Sequence, residues 1–356
     1  MPKTVVVALS GGVDSSVAAL LLRDRGHRVL GVTLRLYDSC GAAGKSCCAL
    51  EDALDARRVA AVLGIEHRVL DHQEAFERLV IAPFAAGYAA GQTPNPCILC
   101  NERVKFGTLW DYARELGADA LATGHHARLR PRGTGTALWR AADPGKDQSY
   151  VLFSLTAEQR ARTLFPCGEH RKDELRERAR AAGLPTAGKP ESQDICFVAG
   201  GDYAGFLEAR GARGKAGLLR HVDGRVLGTH AGLHRFTVGQ RKGLGVPAAE
   251  PLYVVDLDPS DGTVTVGPRE SLGAAGFEAT GWNWHLEPGE SPPPEALVQV
   301  RYRQAPAPAR LSVEAPGAVV VEWLGPPRAA TPGQAAVAYA GERLLGGGWI
   351  RRRTPG

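Results

Sequence analysis

The chain has 356 residues, 44% of them hydrophobic and 23% charged, with a net charge of +5. That length suits two or three domains with a sizeable core, and the mild basicity permits an RNA partner without demanding one. The opening Val5-Val6-Val7 is unlike a secretory leader, and the longest uncharged stretch, Leu79–Asn101, is broken by Pro83, Gly87, Gly91, Pro94 and Pro96, so no membrane span and a cytoplasmic protein are expected.

Lys3–Ser10 reads as a buried strand, and Asp14–Gly26 as a helix with Val17, Leu20 and Leu21 on one face and a glycine at its end. Val29–Tyr37, Leu50–Gly64 and His67–Asp71 continue as strand, helix and strand. Glu102–Gly117 is read as a helix, Ala120–Thr123 as a strand running into Gly124-His125-His126, and Lys172–Gly183 as a further helix. This alternation predicts an α/β fold with a parallel sheet covered on both faces. After about Gly205 the segments become short and alternating: Gly217–His221, Arg225–Gly228, Leu252–Asp256, Thr263–Val266. From about Ala274, segments such as Leu297–Tyr302, Ala318–Trp323 and Gln334–Tyr339 fit a compact β-barrel. The expected domains are 1–205, 206–273 and 274–356. Pro131–Thr136 reads as a surface loop.

Ser10-Gly11-Gly12-Val13-Asp14-Ser15 joins the first strand to the first helix. Two glycines allow a tight turn whose N–H groups can face a phosphate, and the helix N-terminus behind them adds partial positive charge. Asp14 is suited to hold Mg²⁺ or, in the plainer alternative, to cap the helix. The Gly-Lys-[Ser/Thr] ending of the common NTPase loop is absent.

Seven cysteines (Cys40, Cys47, Cys48, Cys97, Cys100, Cys167, Cys196) suggest catalysis, redox chemistry or metal binding rather than a disulfide scaffold. Pro94 and Pro96 stiffen the approach to Cys97 and Cys100, and a helix starting near Glu102 would lower the Cys100 thiol pKa. Cys196 follows Ser192-Gln193-Asp194-Ile195 in a polar loop. One thiol can carry a persulfide sulfur and the other resolve it. The alternatives are a structural zinc site at Cys97 and Cys100, which lacks a second matched pair, and a buried apolar role for Cys196. Cys40, Cys47 and Cys48 read as incidental thiols and Cys167 as structural.

The Ser-Gly-Gly-x-Asp-Ser loop resembles the pyrophosphate loop of the ATP pyrophosphatase group, whose members adenylate a substrate oxygen and release pyrophosphate. Further motifs extend the resemblance: Thr93–Asn101 with Val104-Lys105-Phe106, Ala122–His125, Lys146–Tyr150, Ser192–Phe197, Gly239–Gly245, Arg301–Gln304 and Thr331–Gln334. Together they resemble the bacterial tRNA-specific 2-thiouridylases across nearly the whole chain.

That resemblance implies an ATP pyrophosphatase domain of the adenine nucleotide α-hydrolase-like type, a small β-rich central domain and a C-terminal β-barrel. It also implies ATP-dependent 2-thiolation of the wobble uridine of tRNA, by adenylation of the base. Cys100 would be the nucleophile and Cys196 the persulfide carrier, with a transient Cys100–Cys196 disulfide. Ala8, Leu9, Ser10, Gly11, Gly12, Val13, Asp14, Ser15, Leu34 and Gly124 would contact ATP, accompanied by Mg²⁺. Asn95, Pro96, Cys97, His125, Lys146, Asp147, Gln148, Arg301, Tyr302 and Gln334 would contact tRNA. A protein that donates persulfide sulfur is an implied partner, and a monomer is expected. Some family members carry Asp where this chain has Cys97, which leaves open a second chemistry, an iron–sulfur cluster on Cys97, Cys100 and Cys196.

Arg301, Tyr302 and Arg303 read as strand residues, the arginines on one face for phosphate and the tyrosine on the other for stacking. Gly239–Gly245, with Arg241 and Lys242, reads as a basic loop able to approach a phosphate backbone, and Arg351-Arg352-Arg353 as nonspecific phosphate attraction. Two rival functions are an ATP-sensing RNA-binding protein without chemistry and a thiolase acting on another tRNA base.

Overall fold

A computed structural model describes residues 1–37, 48–190, 195–211 and 216–351, the side chains at 48, 49 and 199 excepted. Cys40, Cys47, the Cys48 side chain, Ser192, Gln193, Asp194, Arg352 and Arg353 lie outside the described residues.

The first sheet is parallel, with strands β1 (Thr4–Ala8), β2 (Arg28–Arg35), β3 (Glu66–Asp71), β4 (Ala120–Ala122) and β7 (Thr163–Leu164) in the order β3-β2-β1-β4-β7. β1 is central, and Val5, Val6 and Val7 are fully buried, as a run of β-branched residues covered on both faces should be. Helix α1 (Val13–Asp24) follows β1 and α2 (Cys48–Leu63) precedes β3. Val17, Leu20 and Leu21 of α1 join Val5, Val7 and Val59 in one core cluster. The chain runs outward one way through β2 and β3 and returns to the other side of β1 with β4. The carboxyl ends of β1 and β4 therefore flank a topological switch point, where open α/β sheets take their ligands.

Between β3 and β4 the helical pattern departs from expectation. The segment expected to start near Glu102 starts at Pro96 and runs as Pro96–Leu99, Cys100–Thr108 and Leu109–Glu115, the middle piece wound as a π-helix. Asn95 supplies the cap: its Oδ1 accepts from the N–H of Cys97 at 3.1 Å and of Ile98 at 3.4 Å. Pro96 at the first helical position needs no donor there. The Asn-Pro pair was thus the true start signal.

The second sheet has β8 (Gly217–His221), β9 (Val226–His230), β10 (Tyr253–Asp258) and β11 (Thr263–Gly267) in the order β10-β11-β8-β9, around Leu219, Val254, Val264 and Val266. The third contains β12 (Gly276–Trp284), β13 (Glu295–Gln299), β14 (Ala307–Ala315), β15 (Ala318–Trp323), β16 (Ala335–Ala340) and β17 (Arg343–Ile350). Pairing of β12 with both β15 and β17 closes these strands into an antiparallel barrel.

Two expectations fail here. Pro131–Thr136 is no loop but the tip of a hairpin, β5 (Ala127–Arg132) and β6 (Gly135–Arg140), whose Trp139 pairs with Arg343 of β17. The hairpin fastens the first domain to the barrel, and alternating Arg128 and Arg130 reach Glu342 and Glu169. Arg301–Arg303 are not on a strand. β13 ends at Gln299, and Arg303 takes φ 63°, a left-handed turn conformation that no strand tolerates. No described helix is long and apolar enough to cross a membrane.

Candidate active site

The loop Ser10–Ser15 sits at the carboxyl end of β1. Gly11 takes φ 70°, and a Cβ there would collide with the backbone carbonyl of Asp52 in α2. Glycine is therefore required both for the conformation and for the close packing. Ser10 N–H donates to Ser15 Oγ at 3.1 Å, and Ser15 Oγ donates to the Gly12 carbonyl at 3.1 Å. These bonds hold the turn over the first N–H groups of α1, which by helix geometry lack intrahelical partners. Gly124, just past β4, abuts the same place: its Cβ would lie 2.6 Å from Ser15 N. Ala8, Leu9, Ser10, Gly11, Gly12, Val13, Asp14, Ser15 and Gly124 thus form one crevice lip, with Leu34 on the neighbouring strand β2.

Asp14 does not cap the helix. The N-cap is Gly12. Lys172 Nζ donates to both Asp14 oxygens, at 2.6 and 2.7 Å, and His126 Nε2 lies 3.0 Å from Oδ1. Burial opposes ionisation of Asp14, but the His126 hydrogen bond and the charges of His126 and Lys172 outweigh it and hold the carboxyl below its usual range. Lys172 was missed in the sequence, because nothing local to a residue opening a distant helix points at the phosphate loop. Cys167 is buried beneath, its Sγ 3.3 Å from the Asp14 carbonyl, which agrees with the structural role expected of it.

The thiols meet beyond the end of β2. Cys100, Ile195, Phe197, Leu34 and Tyr37 pack in one cluster, in which the Phe197 ring lies 5.6 Å from Phe76 and 5.4 Å from Phe84. Cys97 and Cys196 keep an accessible face and Cys100 is half-buried. Burial raises all three thiol pKa values, Cys196 to about 12. The nearby Cys100 and Cys97 push Cys196 further up; Lys105 pulls all three down, and a Tyr37 hydrogen bond does so for Cys196. The expected lowering of Cys100 by a helix N-terminus is therefore overturned: Cys100 lies inside the helical run, amid apolar side chains that remove water from its thiolate.

Lys105, Tyr37 and Asn101 are the neighbours that reading for cysteines overlooked. Lys105 Nζ donates to Asn101 Oδ1 at 3.0 Å, and Asn101 Nδ2 donates to the Val151 carbonyl at 3.0 Å. The only sequence signal was Lys105 within Val104-Lys105-Phe106. Among the described residues no three His, Cys, Asp or Glu side chains converge to hold a metal. Cys97, Cys100 and Cys196 do not form such a group, and Lys172 already bonds both Asp14 oxygens.

The residues expected at RNA are spread more widely and are mostly engaged within the protein. His125 is buried, its Nδ1 2.7 Å from Thr123 Oγ1 between the rings of Phe106 and Phe165; burial, then Lys105 and His126, keep it neutral. Asp147 accepts from Arg140 at 2.8 Å and from the Ala141 and Ser149 N–H groups. Gln148 exchanges two 2.8 Å hydrogen bonds with the His126 backbone. Lys146 ends a short 3₁₀ turn, Pro144–Lys146, and is partly exposed. Asn95 and Pro96 start the thiol helix. Arg301 is exposed and bridges Val238 of the central domain and Thr331 of the barrel, at 3.5 and 3.2 Å. The Tyr302 ring lies 6.3 Å from that of Tyr150, and Gln334 Nε2 donates to the Thr93 carbonyl at 2.7 Å.

Fold and site define a three-part protein: an α/β nucleotide-loop domain with a dithiol at its edge, a small β domain and a barrel. Family models match accordingly, a "tRNA methyl transferase HUP domain" over residues 3–200, a "tRNA methyl transferase PRC-barrel domain" over 204–268 and an "Aminomethyltransferase beta-barrel domain" over 274–350. The chain is 49% identical to a Geobacter metallireducens protein, over 98% of this chain and 96% of that one, and 48% identical to a Chloroflexus aggregans protein, over 99% of each. A Parvibaculum lavamentivorans protein is 50% identical over 98% of this chain and 90% of its own length. All three are named tRNA-specific 2-thiouridylase MnmA. The chain belongs to the tRNA-specific 2-thiouridylase family.

Proposed function

We propose that this protein uses ATP to replace the carbon-2 oxygen of the wobble uridine of tRNA with sulfur. The observation that most supports this is the meeting of two thiols far apart in sequence, Cys100 and Cys196, around Lys105 and at the end of the strand that carries Leu34. A protein that only sensed ATP while binding RNA would have no use for that meeting.

ATP binds with its phosphates on the Ser10–Ser15 turn and Gly124 beneath, Lys172 supplying positive charge beside them. The uridine leaves its stack to enter beside Cys97 and Cys100, since an enzyme cannot reach a stacked base. Its carbon-2 oxygen attacks the α-phosphate, pyrophosphate departs, and the base is left as an adenylate whose leaving group is AMP. The terminal sulfur of a Cys196 persulfide attacks carbon 2, and AMP leaves with the oxygen. Cys100 thiolate then attacks the Cys196 sulfur, breaking the S–S bond to the new thiocarbonyl and leaving a Cys100–Cys196 disulfide. An external thiol reductant restores both thiols.

In this reading 1–205 does the chemistry, 274–356 receives RNA, and 206–273 joins them. The protein works as a monomer in the cytoplasm and receives its sulfur from a persulfide-bearing donor protein. The test is thiolation of unmodified tRNA by purified protein charged with persulfide. Cys100→Ser and Cys196→Ser are expected to abolish product while ATP binding persists, and full activity in either variant would end the relay.

A further inference from the structure

The segment that delivers Cys97 and Cys100 is held from the far end of the chain. Thr93 N–H donates to the Pro332 carbonyl at 2.9 Å, and the Thr93 carbonyl accepts from Gln334 Nε2 at 2.7 Å. Both backbone polar groups of Thr93 are therefore taken by one barrel turn, Thr331–Gln334. Gly333 takes φ 87°, and a Cβ there would lie 2.9 Å from Thr93 N and 3.0 Å from Gln92 Cβ, so only glycine permits the approach.

The turn has little freedom of its own. Gly333 N–H donates to the Ile350 carbonyl at 3.0 Å, Ile350 N–H donates to the Gln334 carbonyl at 2.8 Å, and Arg301 braces Thr331. Beyond Thr93 there is no slack either. Pro94 fits against Gly87, where a Cβ would come within 2.9 Å of Pro94 Cγ. Asn95 caps the helix, Pro96 opens it and Cys97 follows. A shift of the turn must therefore reach the thiols through a stiff link with fixed φ angles.

We propose that the Thr331–Gln334 turn is a clamp that sets where Cys97 and Cys100 sit, and that Gln334 is a positioning residue for the sulfur chemistry rather than only a contact for RNA. This rests on Cys100 acting as proposed above. RNA that pulls on Gln334 or Arg301 then moves the thiols, and thiol position in turn alters RNA affinity, as linkage requires.

The test measures alkylation of Cys100 by iodoacetamide in the RNA-free full chain, read by peptide mass, alongside kcat and KM for tRNA. In Gln334→Ala and Gln334→Glu, Cys100 alkylation is expected to rise about fivefold, the order set by one lost hydrogen bond. kcat should fall at least as far. Gly333→Ala should give the same alkylation change with the Gln334 amide intact. If that variant does not accumulate, the half-buried Gln334 carries the test. Unchanged alkylation with a raised KM would overturn the clamp and leave Gln334 an RNA contact alone. The alkylation reports position, not catalysis, so it stays informative even if Cys100→Ser retained thiolation and the relay failed.

Discussion

The phosphate loop and the thiol site solve opposite problems. The loop is local: one strand end, two glycines and one helix start, with Ser10 and Ser15 bonded to each other and Ser15 to Gly12. The thiol site is assembled from Tyr37, the 96–108 helix, the segment carrying Cys196 and a barrel turn that grips Thr93. The loop can therefore be broken by one backbone change. The thiol site is broken by deleting sulfur, but its other members tune it.

The largest effect expected is loss of the sulfurs themselves, with Cys100→Ser and Cys196→Ser lowering thiolation by more than about a thousandfold, since a serine hydroxyl can neither carry nor resolve a persulfide. Next comes the loop. Gly11→Ala and Gly124→Ala force a Cβ into the Asp52 carbonyl and the Ser15 amide respectively, and ATP affinity by calorimetry should fall at least about a hundredfold, the scale of the strain involved. Retained affinity in Gly124→Ala would mean that the crevice between β1 and β4 is not where ATP binds.

Lys172→Met should weaken ATP binding about tenfold, the scale of one charge interaction, and free Asp14. Asp14 would then lose one of the charges that hold its carboxyl down. Calorimetry at several pH values should show more proton uptake by Asp14 near pH 4 in the variant; an unchanged profile would place Lys172 outside the site.

The smallest effects concern thiol ionisation. Because burial raises Cys196 to about 12, its thiolate is scarce near neutrality. Its alkylation should rise about tenfold per pH unit well past the value near which an ordinary thiol levels off. Tyr37→Phe and Lys105→Gln each remove a group that favours the thiolate, so each should slow alkylation at fixed pH by about three- to tenfold. Lys105→Arg should restore the rate by keeping the charge. Faster alkylation in Lys105→Gln would contradict the sign of its influence.

Much of this was legible in the residues. The strand–glycine–helix order at Ser10–Ser15 carries its conformation in the glycines themselves, and each β-α alternation appears within a few residues of its place. The thiol helix starts earlier than expected because Pro94 and Pro96 point to a stiff approach, whereas Asn95 caps the helix and Pro96 opens it. Arg301–Arg303 were misjudged because alternation along a sequence does not reveal a positive φ at Arg303.

What sequence alone determined was identity of parts: which glycines must turn, which runs are buried strands, and which cysteines are available. Those choices depend on backbone sterics and hydrophobic period, which act over a few residues. Tertiary structure decided the electrostatics and the alignment: Lys172 at Asp14, Lys105 and Tyr37 at the sulfurs, His125 buried and neutral, and the barrel's hold on Thr93. Charge and burial act through space, between groups that folding brings together, so no local pattern could state them.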